Sequence, residues 1–159
     1  MVAYNINKMQ VVEEESTQIE TIVNEIVNSV TKEIDDYIEN IKHELDGDDL
    51  TISELNLILM RLCSFSYYLA SKQEMVGIRQ DISSTIEKER FNLHFINSTG
   101  TVASKTSQAE EKTKEERVIS IVWEKSYKIL KNKYDSINRY IDSIKKIITT
   151  KVKEMELSR

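Results

Sequence analysis

A chain of 159 residues suits one ordinary domain, and 40% apolar against 31% charged residues allows a real core beneath a heavily solvated surface. There is no proline, where average usage would supply about eight, and proline's missing donor and ring clash make its absence suit a chain that is helix nearly throughout. The net charge is −5 and Cys63 is the single cysteine, which excludes an intrachain disulfide.

That net charge is the difference of two opposed segments. Residues 1–60 carry 14 acids against Lys8, Lys32 and Lys42, a net of −11, and residues 61–159 carry a net of +6. Neutralisation within the chain or between subunits is the favoured reading. The alternative is a basic part that meets a polyanion and an acidic part that meets a protein. No charged-then-apolar leader opens the sequence, and no run reaches the roughly 18 apolar residues of a membrane span. The expectation is a soluble cytoplasmic protein without membrane association, in the host cytoplasm if phage-encoded.

Residues 1–16 have no apolar period and end in Glu13, Glu14 and Glu15, so they are expected as a flexible arm on which Val11 and Val12 are able to dock. Residues 17–159 are expected as a single helical domain. Thr17 and Glu20 fit a capping box. From there Ile19, Ile22, Val23, Ile26, Val27, Val30, Ile34, Tyr37, Ile38, Ile41 and Leu45 recur at three- and four-residue steps, predicting a first helix over about 18–45. Gly47 follows where a left-handed C-terminal cap is wanted.

Thr51 and Glu54 form a second capping box, with Leu50 and Leu55 placed as a hydrophobic staple. The predicted second helix, about 52–96, opens on Leu55–Ala70, where 12 of 16 residues are apolar. A helix apolar around most of its circumference is buried on several sides, so the centre of the core or of an oligomer interface is placed here. Past Lys72 the apolar line changes phase, resuming at Met75, Ile78, Ile82 and Ile86. Gly77 sits at the change, which points to a kink or a switch of packing partner.

Asn97-Ser98-Thr99-Gly100-Thr101 is a turn signal. Polar residues follow from Val102 to Glu116, either a solvated helix start or partly disordered. A third helix, about 103–157, then carries the most regular pattern of the chain. Trp123, Tyr127, Leu130, Tyr134, Ile137, Ile141, Ile144 and Ile148 alternate steps of four and three. That 3.5-residue repeat keeps one seam turned to a partner helix. Val122, Ile129, Tyr140 and Ile147 flank the seam and widen it beyond a two-stranded stripe. The fold class read from these signals is all-α: an elongated bundle of three long helices with coiled-coil-like packing of the C-terminal one. The eight seam residues are candidates for an oligomer interface, with a second copy of the chain as the partner.

Motifs for chemistry are missing. His43 and His94 are the only histidines, and no Cys/His spacing resembles a metal site. Asp46, Asp48 and Asp49 lack the twelve-residue calcium-loop pattern and read as a polar turn. Cys63, among Leu59, Leu62 and Phe65, reads as a small buried hydrophobe. No catalytic residue, metal or cofactor is expected, and the chain is read as no enzyme.

A basic surface remains. Lys125, Lys128, Lys131, Lys133 and Arg139 lie among Tyr127, Tyr134 and Tyr140, and Lys88 and Arg90 add charge in the second helix. Sequence-independent single-strand binding uses such a mixture: cations follow phosphates while bases stack on rings. Lys88, Arg90, Lys125, Lys128, Lys131 and Arg139 are the nucleic-acid-contacting candidates. The plainer alternative has the lysines solvating an outer face.

The pattern of Tyr67-Tyr68-Leu69 leading into a charged helix with Lys88 and Arg90, then a polar middle and a terminal helix with Tyr127, Leu130 and Ile137, resembles small helical phage proteins of the UvsY-type recombination mediator class. The resemblance covers about the last two thirds of the chain and contains no diagnostic motif. It implies a non-enzymatic oligomer that binds single-stranded DNA and helps a recombinase displace single-strand-binding protein. The acidic first helix departs from that class. The competing expectation is a structural or adaptor protein, a virion component or an inhibitor of another protein, acting through helical protein–protein interfaces.

Overall fold

A computed structural model describes the backbone of residues 2–45 and 50–158 and the side chains of residues 13–45 and 50–158. Among the described residues the chain is all-α and without a strand, in four helices: α1 (Val2–Leu45), α2 (Ile52–Asn97), α3 (Val102–Lys112) and α4 (Lys114–Leu157). The Gly47 cap and the Asp46–Asp49 turn lie outside the described residues, as does any docking by the Val11 and Val12 side chains.

Two helix starts differ in kind. At Thr51 the capping box forms: the Thr51 N–H donates to Glu54 Oε2 (2.8 Å) and the Glu54 N–H donates to Thr51 Oγ1 (3.3 Å). At Thr17 it does not. α1 already runs from Val2, through most of the segment expected as an arm, and the Thr17 hydroxyl bonds back to the Glu13 carbonyl at 2.7 Å. The acid run therefore lies within the helix, and Thr17 takes the interior alternative to capping, an i−4 back-bond.

The expected third helix is divided. Thr113, buried, has φ −108° and ψ 13°, and both its N–H (3.0 Å) and its hydroxyl (2.8 Å) bond to the Ala109 carbonyl. This departure from helical dihedrals separates α3 from α4, giving four helices in place of three. The preceding turn falls where predicted. Thr101 caps α3, accepting from the Ser104 N–H, and Gly100 holds a φ of +109°, open to glycine and strained for other residues.

The chain packs as two compact units, one from Met1–Val27 and Glu74–Lys128, the other from Asn28–Gln73 and Ile129–Arg159. The second has a core of large aliphatics: Ile34 and Ile41 of α1, Leu55, Ile58, Leu62 and Leu69 of α2, and Leu130, Ile137, Ile141 and Ile144 of α4. Polar ties cross it at its edges. Lys133 reaches Asp35 at 2.5 Å, Ser66 Oγ donates to Asn138 Oδ1 at 3.0 Å, and Lys151 Nζ donates to the Leu50 carbonyl at 2.8 Å. Tyr37 meets Phe65 edge-on at 5.0 Å. The apolar Leu55–Ala70 stretch is buried on one side only: Leu57, Met60, Tyr67 and Tyr68 are exposed. Cys63, expected inside, is exposed as well.

The first unit is built differently. Its buried residues, among those described, are Val23, Val27, Val76, Ser83, Ser98, Ala109, Thr113, Val122 and Ser126. None is larger than valine. Small side chains let helices approach closely, and Gly77 shows how far this goes: a Cβ there would stand 3.2 Å from Cε2 of Tyr127. α2 passes through Gly77 as one helix, so this glycine makes room for an aromatic ring and marks no break.

Candidate functional site: the outer face of helix α2

Within the first unit α2 has two lines of residues. Val76 and Ser83 are buried, as is Ser98 just past the helix end, and Gln80, Glu87, Phe91 and His94 are half-buried between them, at steps of three and four. A second line, Met75, Ile78, Ile82, Ile86, Leu93 and Ile96, is between 44% and 74% exposed. At 3.6 residues per turn the two lines are centred about 140° apart on the helix. The inner line does not change phase at Gly77, since Leu69, Val76 and Ser83 follow one another at seven-residue steps. What changes is the inner face: past Lys72 it carries mainly small and polar residues, while large apolar ones continue outside.

The unit is thus inverted in residue size, with small side chains buried and Ile, Leu and Met solvated along one continuous helix face. Single exposed apolar residues are ordinary, but a contiguous row of them marks an interaction surface. Arg79 and Glu89 interrupt the row. Arg79 lies over the Trp123 ring at 5.0 Å, and neither it nor Glu89 forms an ion pair among the described residues. A stacked guanidinium keeps its edge donors available to a carboxylate.

The expected oligomer seam has another role. Leu130, Ile137, Ile141 and Ile144 are buried inside the second unit of this chain, with Tyr134 and Ile148 half-buried. In the first unit the buried centre of α4 is Val122 and Ser126, one residue off the expected Trp123 and Tyr127, which are half-buried beside it. Four-residue steps through Val122, Ser126 and Leu130 rotate the buried line toward the seam. The seam residues therefore serve the chain's own packing. Large apolar residues are left exposed along α2, and also at Val152, Met155 and Leu157 of α4.

The six nucleic-acid candidates, Lys88, Arg90, Lys125, Lys128, Lys131 and Arg139, are all exposed. They do not form an uninterrupted basic stripe. Lys128 pairs with Glu124, whose carboxyl is held below its usual value first by the hydrogen bond from Lys128 and then by that lysine's charge. Lys88 and Arg90 stand beside Glu87 and Glu89. Lys133 is committed to Asp35, which also accepts from Thr31 Oγ1 at 2.9 Å. This pair lies in a groove of about 540 Å³ lined also by Ile38, Ser136 and Tyr140. Among the described residues no cluster of His, Cys, Asp and Glu fits a metal ion, and no helix is long and apolar enough to cross a membrane.

No protein-family model matches this chain, and no curated protein or solved structure is significantly similar to it. The reading of the site accordingly rests on its geometry. Sequence reasoning noted Met75, Ile78, Ile82 and Ile86 but read their phase shift as a kink or a change of packing partner. The signal that separates these readings is the persistence of the Leu69–Val76–Ser83 line beneath them.

Proposed function

We propose that this chain is a non-enzymatic, oligomerising accessory protein that works through helical protein–protein association at the outer face of α2. One observation carries the reading: among its described residues the first unit buries nothing larger than valine and solvates a row of Ile, Leu and Met. Burying apolar area is the main drive for protein association. The buried three- and four-residue steps of α4 in the second unit fit the coiled-coil-like packing of that helix. Sedimentation velocity across protein concentration tests the reading. Association that Ile82→Asp abolishes, with helix content by circular dichroism unchanged, is the expected result. Association indifferent to that substitution, or a monomer throughout, overturns it.

The second reading is single-strand binding, as the resemblance to UvsY-type mediators implies. It is favoured by the exposure of all six candidate cations. A fluorescence titration with a labelled strand at several salt concentrations decides it, because phosphate contacts weaken steeply as salt rises. Tight binding that falls with salt and persists in Ile82→Asp would place the activity on the cations.

A further inference from the structure

The outer face of α2 has a charge pattern that selects its own partner. At alternating steps of four and three the row reads Met75, Arg79, Ile82, Ile86, Glu89, Leu93 and Ile96. We infer that it pairs with the same face of a second copy, antiparallel, about a two-fold axis that crosses the row between Ile82 and Ile86, level with Ser84. This rests on the reading of α2 as a protein interface and names the occupant.

Register decides the pairing. Turning the row about Ser84 sets Met75 against Leu93 of the other copy, Ile82 against Ile86, and Arg79 against Glu89. Each contact occurs twice by symmetry, as a two-fold interface requires. The alternating layers are those of an antiparallel helix pair. Met75, Ile82, Ile86 and Leu93 each meet an apolar residue and both charges meet their opposites, while Ile78 lies at the edge of the row, level with Arg90 of the other copy. A parallel in-register pair would set Arg79 on Arg79 and Glu89 on Glu89. Shifting the antiparallel register by half a heptad either way sets Arg79 against Ile82 or Ile96 and removes the pairing of Arg79 with Glu89. Of these arrangements only the first pairs both charges. Arg79 is already held in place by its stack on Trp123, and its carboxylate partner is missing within the described chain.

A membrane surface fits less well. The charges in and beside the row, Glu74, Asp81 and Glu89 against Arg79, Lys88 and Arg90, balance and give no basic surplus to attract anionic lipid.

Charge reversal in two separate proteins tests the register. Arg79→Glu alone and Glu89→Arg alone each replace two attractive contacts by two repulsive ones. Each is expected to weaken self-association by roughly tenfold or more. An equimolar mixture of the two variants brings opposite charges together at all four positions and is expected to restore a dimer, read by sedimentation velocity with one variant labelled. Circular dichroism confirms that both variants fold, and Glu89→Arg leaves the Trp123 stack untouched. Variants that associate as well as the wild type, or two weakened variants that do not rescue each other, overturn the antiparallel register. If association is lost in Ile82→Asp even so, the face remains the interface and only its pairing is wrong. A wild-type monomer at every concentration overturns the second copy itself, and sedimentation of that monomer with anionic vesicles would assign the face to lipid.

Discussion

Val76 and Ile82 lie on one helix, in one unit, and a carboxylate at each should have opposite consequences for folding. Val76 is 4% exposed and Ile82 is 54% exposed. Fully burying an aliphatic side chain stabilises by about 1.5–3 kcal/mol, so half-burial at Ile82 leaves about 1 kcal/mol to lose. Ile and Asp differ in helix propensity by only a few tenths of a kcal/mol. Ile82→Asp is thus expected to lower the stability of the monomer by about 1 kcal/mol. Val76→Asp forfeits nearly the whole transfer energy and leaves a carboxylate without a partner in a tight helix contact, a loss of about 4 kcal/mol or more. Against a total of about 5–15 kcal/mol for a typical domain, the second change brings the fold near its limit. Urea unfolding followed by circular dichroism measures both, with an unchanged slope confirming that the same surface is exposed. Repeating it at two protein concentrations separates folding from association, because a dimer's apparent stability rises with concentration. The wild type should show that rise and Ile82→Asp should not. Equal losses for the two variants would mean that Ile82 is covered by its own chain, and the assignment of the outer face would fall.

Other consequences are local. Glu54 is held below its usual value first by the hydrogen bond from the Thr51 backbone and then by the Thr51 hydroxyl. A depressed carboxyl stabilises the fold above its unfolded value near 4.5 and ceases to as pH falls through the folded one. The margin of the wild type over Glu54→Gln in thermal melts should therefore be full at neutral pH and close in acid; a margin that grows in acid would contradict the cap. Gly100→Ala places a side chain at a φ of +109° and 3.3 Å from Ser104 Oγ, so a loss of about 1–3 kcal/mol is expected in urea unfolding. Cys63, exposed, should react with a thiol reagent in the folded protein at nearly the rate seen in urea, and strong protection would show it to be covered.

The helical class and the Thr51 start were readable because each rests on local chemistry: absent proline, three- and four-residue spacing, and a reciprocal pair three residues apart. The Thr17 start failed because the same pair occurs inside a helix, where the hydroxyl has an i−4 carbonyl within reach. The break at Thr113 has no pattern in the sequence, since threonines such as Thr17 bond back to an i−4 carbonyl in the same way inside an unbroken helix. Periodicity located the seam of α4, but it cannot say who covers a seam. Leu130, Ile137, Ile141 and Ile144 are covered by their own chain. Nor does it separate the two lines of α2, because Ser83 and Gln80 do not look like core residues until their burial is seen.

The presence of Arg79 and Glu89 in the row is itself informative. A row of isoleucines alone would associate more strongly, but it would tolerate parallel, antiparallel and shifted pairings alike, and an exposed apolar row without direction invites open-ended aggregation. A charge at an interface layer destabilises every arrangement in which it is left unpaired. Two opposite charges placed symmetrically about Ser84 leave one pairing in which neither is alone, and a two-fold pairing is closed: it consumes the face of both copies and ends. On this argument the two charged residues limit assembly as much as they promote it. Replacing both with leucine should then raise the affinity of the face while broadening the distribution of species in sedimentation velocity. A single sharp dimer from the Arg79→Leu/Glu89→Leu variant would show that the apolar residues alone set the pairing.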